Sequence, residues 1–388
     1  MKSINRNYHG VYDADIDYTL LQRNHKECPV MPIQKDIMEG LPTFVNAADD
    51  KEQWIQNRKS MNELFSKHHG REENIDDAIN AITDYLDTWK EKPVINIANQ
   101  SGILSLKFLC ASLFQVEITT TEANIIDQLT DSKIQNRLLA TAITRAHLPN
   151  KLLNAVTGFN TAQKNIQTII NNLRNRADSK SKIHDLENDQ LFELLFTGSV
   201  TTKATLYHAA LLLSQHKDWQ EKIANETQEK GIPKKLEKPN KEGNIPAVTM
   251  TTMETMRLFP SIPHIPREMA VDLKLKNGTS LRKGDRIIVL PMSIHRNPRY
   301  YQDPDKFSPD QHFSMGAIKE RPKGSYMPFG FGPSGCPGQG LALQQVNTIL
   351  SAVFSRFSLD WQGEMPKTKS KTTLLADRNV YLKMTSIS

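Results

Sequence analysis

The chain has 388 residues, of which 38% are hydrophobic and 24% charged, with 49 Lys and Arg against 43 Asp and Glu for a net charge of +6. That much apolar material supplies a sizeable core and excludes disorder and collagen-like structure. Three cysteines exclude a disulfide scaffold and a four-cysteine zinc site, and fit a reducing compartment. The small positive excess is too dispersed to point to nucleic acid. No apolar run approaches the ~18–20 residues of a membrane span. The segment after Lys2 and Arg6 lacks the apolar core of a signal peptide. As written, the chain is expected to be soluble and cytoplasmic.

In chain order, residues 1–50 are polar and punctuated by Pro29, Pro32 and Pro42, without a strong period. Trp54, Ile55, Met61, Leu64 and Phe65 predict an amphipathic helix from Asp50 to His69, with Gly70 at its C-terminal end. Residues 73–90, 98–115 and 120–175 read as further helices. A long helix from Asp189 to Lys217 is expected to be capped by Asn188. A solvated connection over 230–245 leads to a short helix from Ala247 to Leu258, stopped by Pro260. Alternation in 270–275, the Asn277-Gly278 turn and the β-branched 286–289 then predict a small sheet. Proline-rich coil follows, then a Gly/Pro loop around Cys336 and a last helix from Gln339 to Phe354. The expected architecture is mainly α with a small β portion, as one domain over residues 1–388.

The densest chemistry lies in Phe329-Gly330-Phe331-Gly332-Pro333-Ser334-Gly335-Cys336-Pro337-Gly338. Its four glycines and two prolines make a backbone that bends tightly and approaches something closely. Cys336 stands just before a predicted helix, where the dipole and free N–H groups favour a thiolate. A lone thiolate suits a pre-formed metal centre such as haem. On this chemistry alone, a buried free cysteine fits equally well.

The pattern F-G-x-G-x-x-x-C-x-G, carried by Phe329, Gly330, Gly332, Cys336 and Gly338, resembles the haem-ligand loop of the cytochrome P-450 family of haem-thiolate monooxygenases. Where the family usually has a basic residue, this chain has Ser334. Three more segments resemble the family in its order. Trp54 and Arg58 match its W-x-x-x-R helix, whose pair contacts a haem propionate; both share one helix face and both are donors suited to a carboxylate. Phe196-Thr197-Gly198-Ser199-Val200-Thr201-Thr202 matches its oxygen-binding groove, which implies Thr201 as the catalytic alcohol, Thr202 beside it, and Gly198 as space for dioxygen. Val200 replaces the usual acid of that groove. Glu254, Thr255, Arg257, Leu258 and Pro260 match its E-T-x-R-L-x-P helix. Alone, an E-x-x-R pair arises roughly once by chance in such a chain and reads as a surface ion pair. In this context the resemblance implies a structural pair completed by His312, since the neighbouring Gln311 carries no charge. Arg267 matches an arginine that holds a propionate.

The resemblance implies a cytochrome P-450-like fold and haem b, with iron ligated by Cys336. It implies insertion of one atom of O2 into a small apolar substrate, with electrons from a separate ferredoxin or flavoprotein reductase. Val200 and Ser334 keep two alternatives open: a peroxide-using or isomerising haem-thiolate enzyme, and a haem-binding protein with little catalysis. Lys59, Lys67, Arg321 and Lys323 are candidates for attracting an acidic redox partner, and equally for plain solubilising charge. Ile262 and Ile265 are candidate pocket residues. Family members carry more sequence before the Trp/Arg helix, so residues 1–50 are expected to be a trimmed or divergent region, or the start lies upstream with a possible anchor. Cys28 and Cys110 are expected to pack without a role.

Overall fold

The computed structural model describes residues 8–24, 26–29, 51–68, 72–134, 136–137, 150–237, 239, 243–370, 373–376 and 379–387. Pro32, Pro42, Gly70 and the middle of the 120–175 reading lie outside them. The main helices are α1 (Lys51–His68), α2 (Glu72–Asp87), α3 (Ile97–Phe114), α4 (Thr120–Leu129), α5 (Phe159–Arg176), α6 (Asn188–Gln215), α7 (Lys217–Lys230), α8 (Ala247–Leu258) and α9 (Gln339–Phe354). The mainly α expectation therefore holds, and most helix limits fall within a few residues of the expected ones.

Helix α3 is the centre of the core. It is buried on every side and packs against α2 and α6. It is also long and apolar enough to cross a membrane, which corrects the reading that no such run exists among the described residues, but 89% of it is buried inside the fold. Lys107 interrupts its apolar sequence, and its ammonium donates to the Ile118 carbonyl at 3.1 Å. A core helix in a soluble fold meets the same length and composition criteria as a span, so burial decides the matter.

Helix α6 crosses α3 closely. A Cβ on Gly198 would stand 3.0 Å from Leu109 of α3, and one on Gly102 would stand 2.0 Å from the Asp127 carboxylate of α4. Small residues at these crossings let two backbones and a carboxylate approach. Asp127 accepts from Lys203 of α6 at 2.7 Å, and Lys203 also reaches Asp131 at 2.5 Å. The start of α6 differs from expectation. Its N-cap is Glu187, whose N–H donates to Gln190 Oε1 at 2.8 Å. Asn188 is the first helical residue, and its side-chain oxygen accepts from Arg174 of α5.

The β portion is small and split. Strands β1 (Tyr8–Val11), β3 (Ile265–Glu268) and β6 (Arg286–Val289) form a sheet in the order β1-β6-β3, with β1 parallel and β3 antiparallel to β6. In β6, Ile287 and Val289 are fully buried, while Arg286 and Ile288 are half-buried. Around the Asn277-Gly278 turn only β4 (Leu273–Lys274) and β5 (Ser280–Leu281) pair. A second sheet has the order β2 (Val94–Asn96), β10 (Tyr381–Ser386), β7 (Phe357–Asp360), and β8 (Thr368–Ser370) pairs with β9 (Leu374–Ala376). Cys28 and Cys110 are buried, and burial pushes both thiols up to about 12, so they pack as neutral groups.

Burial pushes Asp127 up to about 6, against the pull of Lys203. A carboxyl raised in the folded state contributes stability that is complete below about pH 4 and lost as pH rises through about 6. Asp127→Asn should flatten the dependence of the thermal midpoint on pH between about 4 and 7. Parallel curves for the two proteins would contradict it.

Candidate active site

The cysteine loop is shaped by three backbone bonds. Gly330 N–H donates to Met327 O at 3.0 Å, Gly335 N–H to Gly332 O at 2.9 Å, and Cys336 N–H to Phe329 O at 2.8 Å. Gly330 and Gly332 have φ of 71° and 70°, the left-handed region that side chains resist. At Gly332 a Cβ would also stand 2.2 Å from the Leu21 carbonyl oxygen, so the N-terminal segment closes on the loop there. Gly338 caps α9 and lies against the ring of Phe65 from α1.

This loop forms one wall of a cavity of about 320 Å³. Phe329, Gly330, Cys336 and Gly338 all line it, together with Gly198, Thr201 and Thr202 of α6. Ile262 and Ile265 also line it, as expected. Cys336 is accessible to solvent because it faces this space, although protein surrounds it on its other sides. Burial pushes its thiol up, and the Gly338 N–H and nearby Arg58 only partly oppose that. Ligation to a cation would have to displace the proton.

Two guanidiniums reach the same cavity. Arg58 donates to the Gly335 carbonyl and lies 5.9 Å from the centroid of the Trp54 ring. Trp54 thus stands behind Arg58 and is not part of the cavity wall. Arg267, on β3, is 6% exposed and makes its hydrogen bond to Pro266 O at 2.9 Å. Burial lowers the pKa of both arginines, and neither is paired with a carboxylate among the described residues. Buried cations without an anion are costly, and a ligand bearing carboxylates would satisfy them. Among the described residues no group of three or more His, Cys, Asp or Glu could hold a metal ion. A metal at Cys336 must therefore bring most of its own ligands. Thiol, unpaired guanidiniums and cavity together fit haem with its two propionates. Ser334 lines the cavity but adds no cation.

On α6 the hydroxyls bond back along the helix. Thr201 Oγ1 donates to Thr197 O at 2.9 Å, and Thr197 Oγ1 to Glu193 O at 2.7 Å. Such bonds bend a helix. Thr202 turns toward α9, where its hydroxyl lies 3.4 Å from Gln345 Oε1. Gln345 in turn donates to Ser105 O at 2.7 Å. Val200 is buried in the core and does not line the cavity. Glu193, Thr205, Ser261 and Gln345 also line the cavity and were not anticipated. Spacing of four and eight residues from Thr201 on one helix face could have flagged Thr205 and Glu193. Ser261 and Gln345 arrive through long-range packing, which leaves no local signal.

Behind the loop stands the E-x-x-R pair. Arg257 Nε donates to Glu254 Oε2 at 2.7 Å and Nη2 to Oε1 at 2.8 Å, with both side chains fully buried. Arg257 also donates to the carbonyls of His295, Pro304 and Lys306. His312 completes the group, with Nδ1 3.0 Å from Glu254 Oε1 and Nε2 2.7 Å from Gln302 O. Both ring nitrogens thus face oxygens. Burial raises the Glu254 carboxyl, but Arg257 and His312 outweigh it and hold it below its ordinary value. Arg321 is folded into this layer. It donates to His312 O, and its guanidinium lies 4.5 Å from the Phe313 ring centroid and 4.9 Å from that of Tyr301. That removes it from the set of docking charges, whereas Lys59 and Lys323 are exposed. The Lys67 side chain lies outside the described part of the structure.

Arg257→Ala would leave a buried carboxylate uncompensated and release three carbonyls. It should cost about 3–5 kcal/mol in urea unfolding. A loss below about 1 kcal/mol, typical of a surface ion pair, would show that the coil does not depend on it.

Comparison with known proteins agrees with this geometry. The cytochrome P-450 family model matches residues 122–384. Human cytochrome P-450 4F2 is 26% identical over 268 residues, covering 68% of this chain and 50% of that protein. The probable cytochrome P-450 4p3 of Drosophila melanogaster is 32% identical over 186 residues, covering 47% of this chain and 35% of that protein. The chain spans at most about half the length of these curated relatives. Among solved structures, CYP175A1 from Thermus thermophilus superposes with a TM-score of 0.76 at 20% identity, and retinoic acid-bound cyanobacterial CYP120A1 with 0.79 at 19%. Each alignment covers 98% of this chain and 90% of the other. With the family model over two thirds of its length and the fold shared almost end to end, the chain belongs to the cytochrome P-450 family.

Proposed function

We propose that the protein is a haem-thiolate monooxygenase. It would hold haem b through Cys336 and insert one atom of O2 into a small apolar substrate, with electrons from a separate ferredoxin or flavoprotein reductase. The observation that carries this reading is the single cavity lined by Cys336, Arg58, Arg267 and the Thr201 face of α6. Haem supplies one-electron and O2 chemistry there, and a thiolate ligand favours O–O cleavage.

The chain's own residues have distinct tasks in this reading. Cys336 gives up its proton on ligation. Arg58 and Arg267 hold the propionates by charge-assisted hydrogen bonds. Thr201 lines the cavity with its hydroxyl bonded to the Thr197 carbonyl; turned from that bond, it can pass a proton to the cavity and regain one from water. Gly198 lines the cavity, but Leu109 fills the place its side chain would take, so Gly198 serves the α6–α3 crossing and not, as the resemblance implied, a space for dioxygen. Thr202, tied toward Gln345, keeps the neighbouring turn of α6 in place. Val200 is no acid and lies outside the cavity wall, but Glu193, two turns earlier on the Thr201 face, lines the cavity, so the proton would come from water there or from that carboxyl. Apolar walls, including Met61, Leu109, Leu194 and Ile262, exclude bulk water and favour an apolar substrate.

A reduced, CO-bound absorption spectrum should show the thiolate-type Soret band for the wild type and lose it for Cys336→Ser. An imidazole-type band in the wild type would overturn the ligand assignment. With a suitable reductase, Thr201→Ala should lower product formed per electron pair by about 10-fold, below the usual ~100-fold or more of general acid–base effects because water can substitute. Unchanged coupling would remove Thr201 from the proton path.

A further inference from the structure

We infer that Thr205 and Ser261 form a polar subsite that recognises a hydrogen-bond donor, such as a hydroxyl, on an otherwise apolar substrate. The inference rests on the cavity being the substrate chamber of a haem enzyme. Both residues line the cavity, and they come from different elements: Thr205 from α6 and Ser261 from the coil after α8. Their hydroxyl oxygens are 3.0 Å apart. Ser261 Oγ donates to the Thr201 carbonyl at 2.8 Å, and Thr205 Oγ1 lies 3.3 Å from that same carbonyl.

Counting protons fixes what the pair offers. Each hydroxyl has one proton and two lone pairs. The Ser261 proton goes to Thr201 O. The Thr205 proton goes to Ser261 Oγ or to Thr201 O, both within reach. With both protons engaged inside the protein, what the pair has left to offer a ligand is its lone pairs. Such a pair favours a donor, because an ether or ketone oxygen would first have to draw the Thr205 proton from its protein acceptors. The difference between the two kinds of ligand is about one net hydrogen bond.

The position adds a constraint on the product. Thr205 is one helical turn from Thr201, and Ser261 is bonded to the Thr201 main chain. A donor group held here lies beside the proposed catalytic alcohol. Oxidation should then fall on carbons close to the anchored group, not at the far end of a long chain.

The test uses the purified haem-loaded protein and two isomeric probes of nearly equal shape, undecan-1-ol and 1-methoxydecane. The ether keeps the oxygen and removes the donor. Binding is read from the spin-state change of the oxidised protein on titration, without turnover. The wild type should prefer the alcohol by about 2- to 10-fold, the range of one net hydrogen bond. Ser261→Ala combined with Thr205→Val should bring the ratio close to one, while Thr205→Ser should retain it. Equal binding of the two probes by the wild type would overturn the proposal. So would a preference that survives the double substitution, since it would belong to another partner. The CO-bound spectrum of each variant separates the two levels: loss of the thiolate band in the wild type rejects the haem-thiolate reading, whereas a normal band with a ratio of one rejects only the subsite.

Discussion

The fully buried pair of Glu254 and Arg257 is the interaction on which the site depends. Two charges removed from water repay their desolvation only with excellent geometry and further hydrogen bonds. Here the guanidinium is bidentate to the carboxylate and still has donors for the carbonyls of His295, Pro304 and Lys306. The carboxylate also accepts from Ser308 N–H and faces His312. Coil without regular hydrogen bonding is thereby tied to α8 at four points. The cysteine loop follows that coil directly, and its backbone joins it where Met327 N–H donates to the His295 ring at 2.9 Å.

The distal wall rests on a different principle. Helix α6 carries β-branched residues and serines through its middle, which are poor helix formers, and tertiary packing compensates. Gly198 admits Leu109, Lys203 is neutralised by Asp127 and Asp131, and the side chains of Thr201, Thr197 and Ser199 bond to the helix's own carbonyls. The same hydroxyls that weaken the helix locally supply the polar groups on an otherwise apolar wall. Propensity is given up where chemistry is needed, as expected of a functional segment.

Much of this was legible in the sequence because the site residues lie in short local patterns. Glu254 and Arg257 are three apart on one helix, and Gly330, Gly332 and Cys336 sit in one loop, so spacing carries their geometry. The long helices were legible from their periodicity. The strands near the termini were not: Tyr8–Val11 and Thr368–Ser370 are too short to show alternation, and their partners lie far away in the chain. Trp54 was legible as part of a motif, but not its place behind Arg58. Arg321 read as a surface charge because nothing local reveals that Tyr301, Phe313 and Tyr326 will surround it. Ser261 and Gln345 reach the cavity only through folding, and no pattern around them announces it.

The closure of the cysteine loop by distant sequence has a consequence for biosynthesis. Arg58 donates to the Gly335 carbonyl across 277 residues, and the Leu21 carbonyl fits against Gly332 from still further away. At about 5–20 residues per second on the ribosome, the helix that carries Arg58 emerges tens of seconds before the loop it grips. The cradle cannot exist on the nascent chain until α9 has nearly been made. A prosthetic group bound there would therefore be captured only once α9 has been made, and until then the arginines and apolar walls that line the cavity stand open to water and to chaperones.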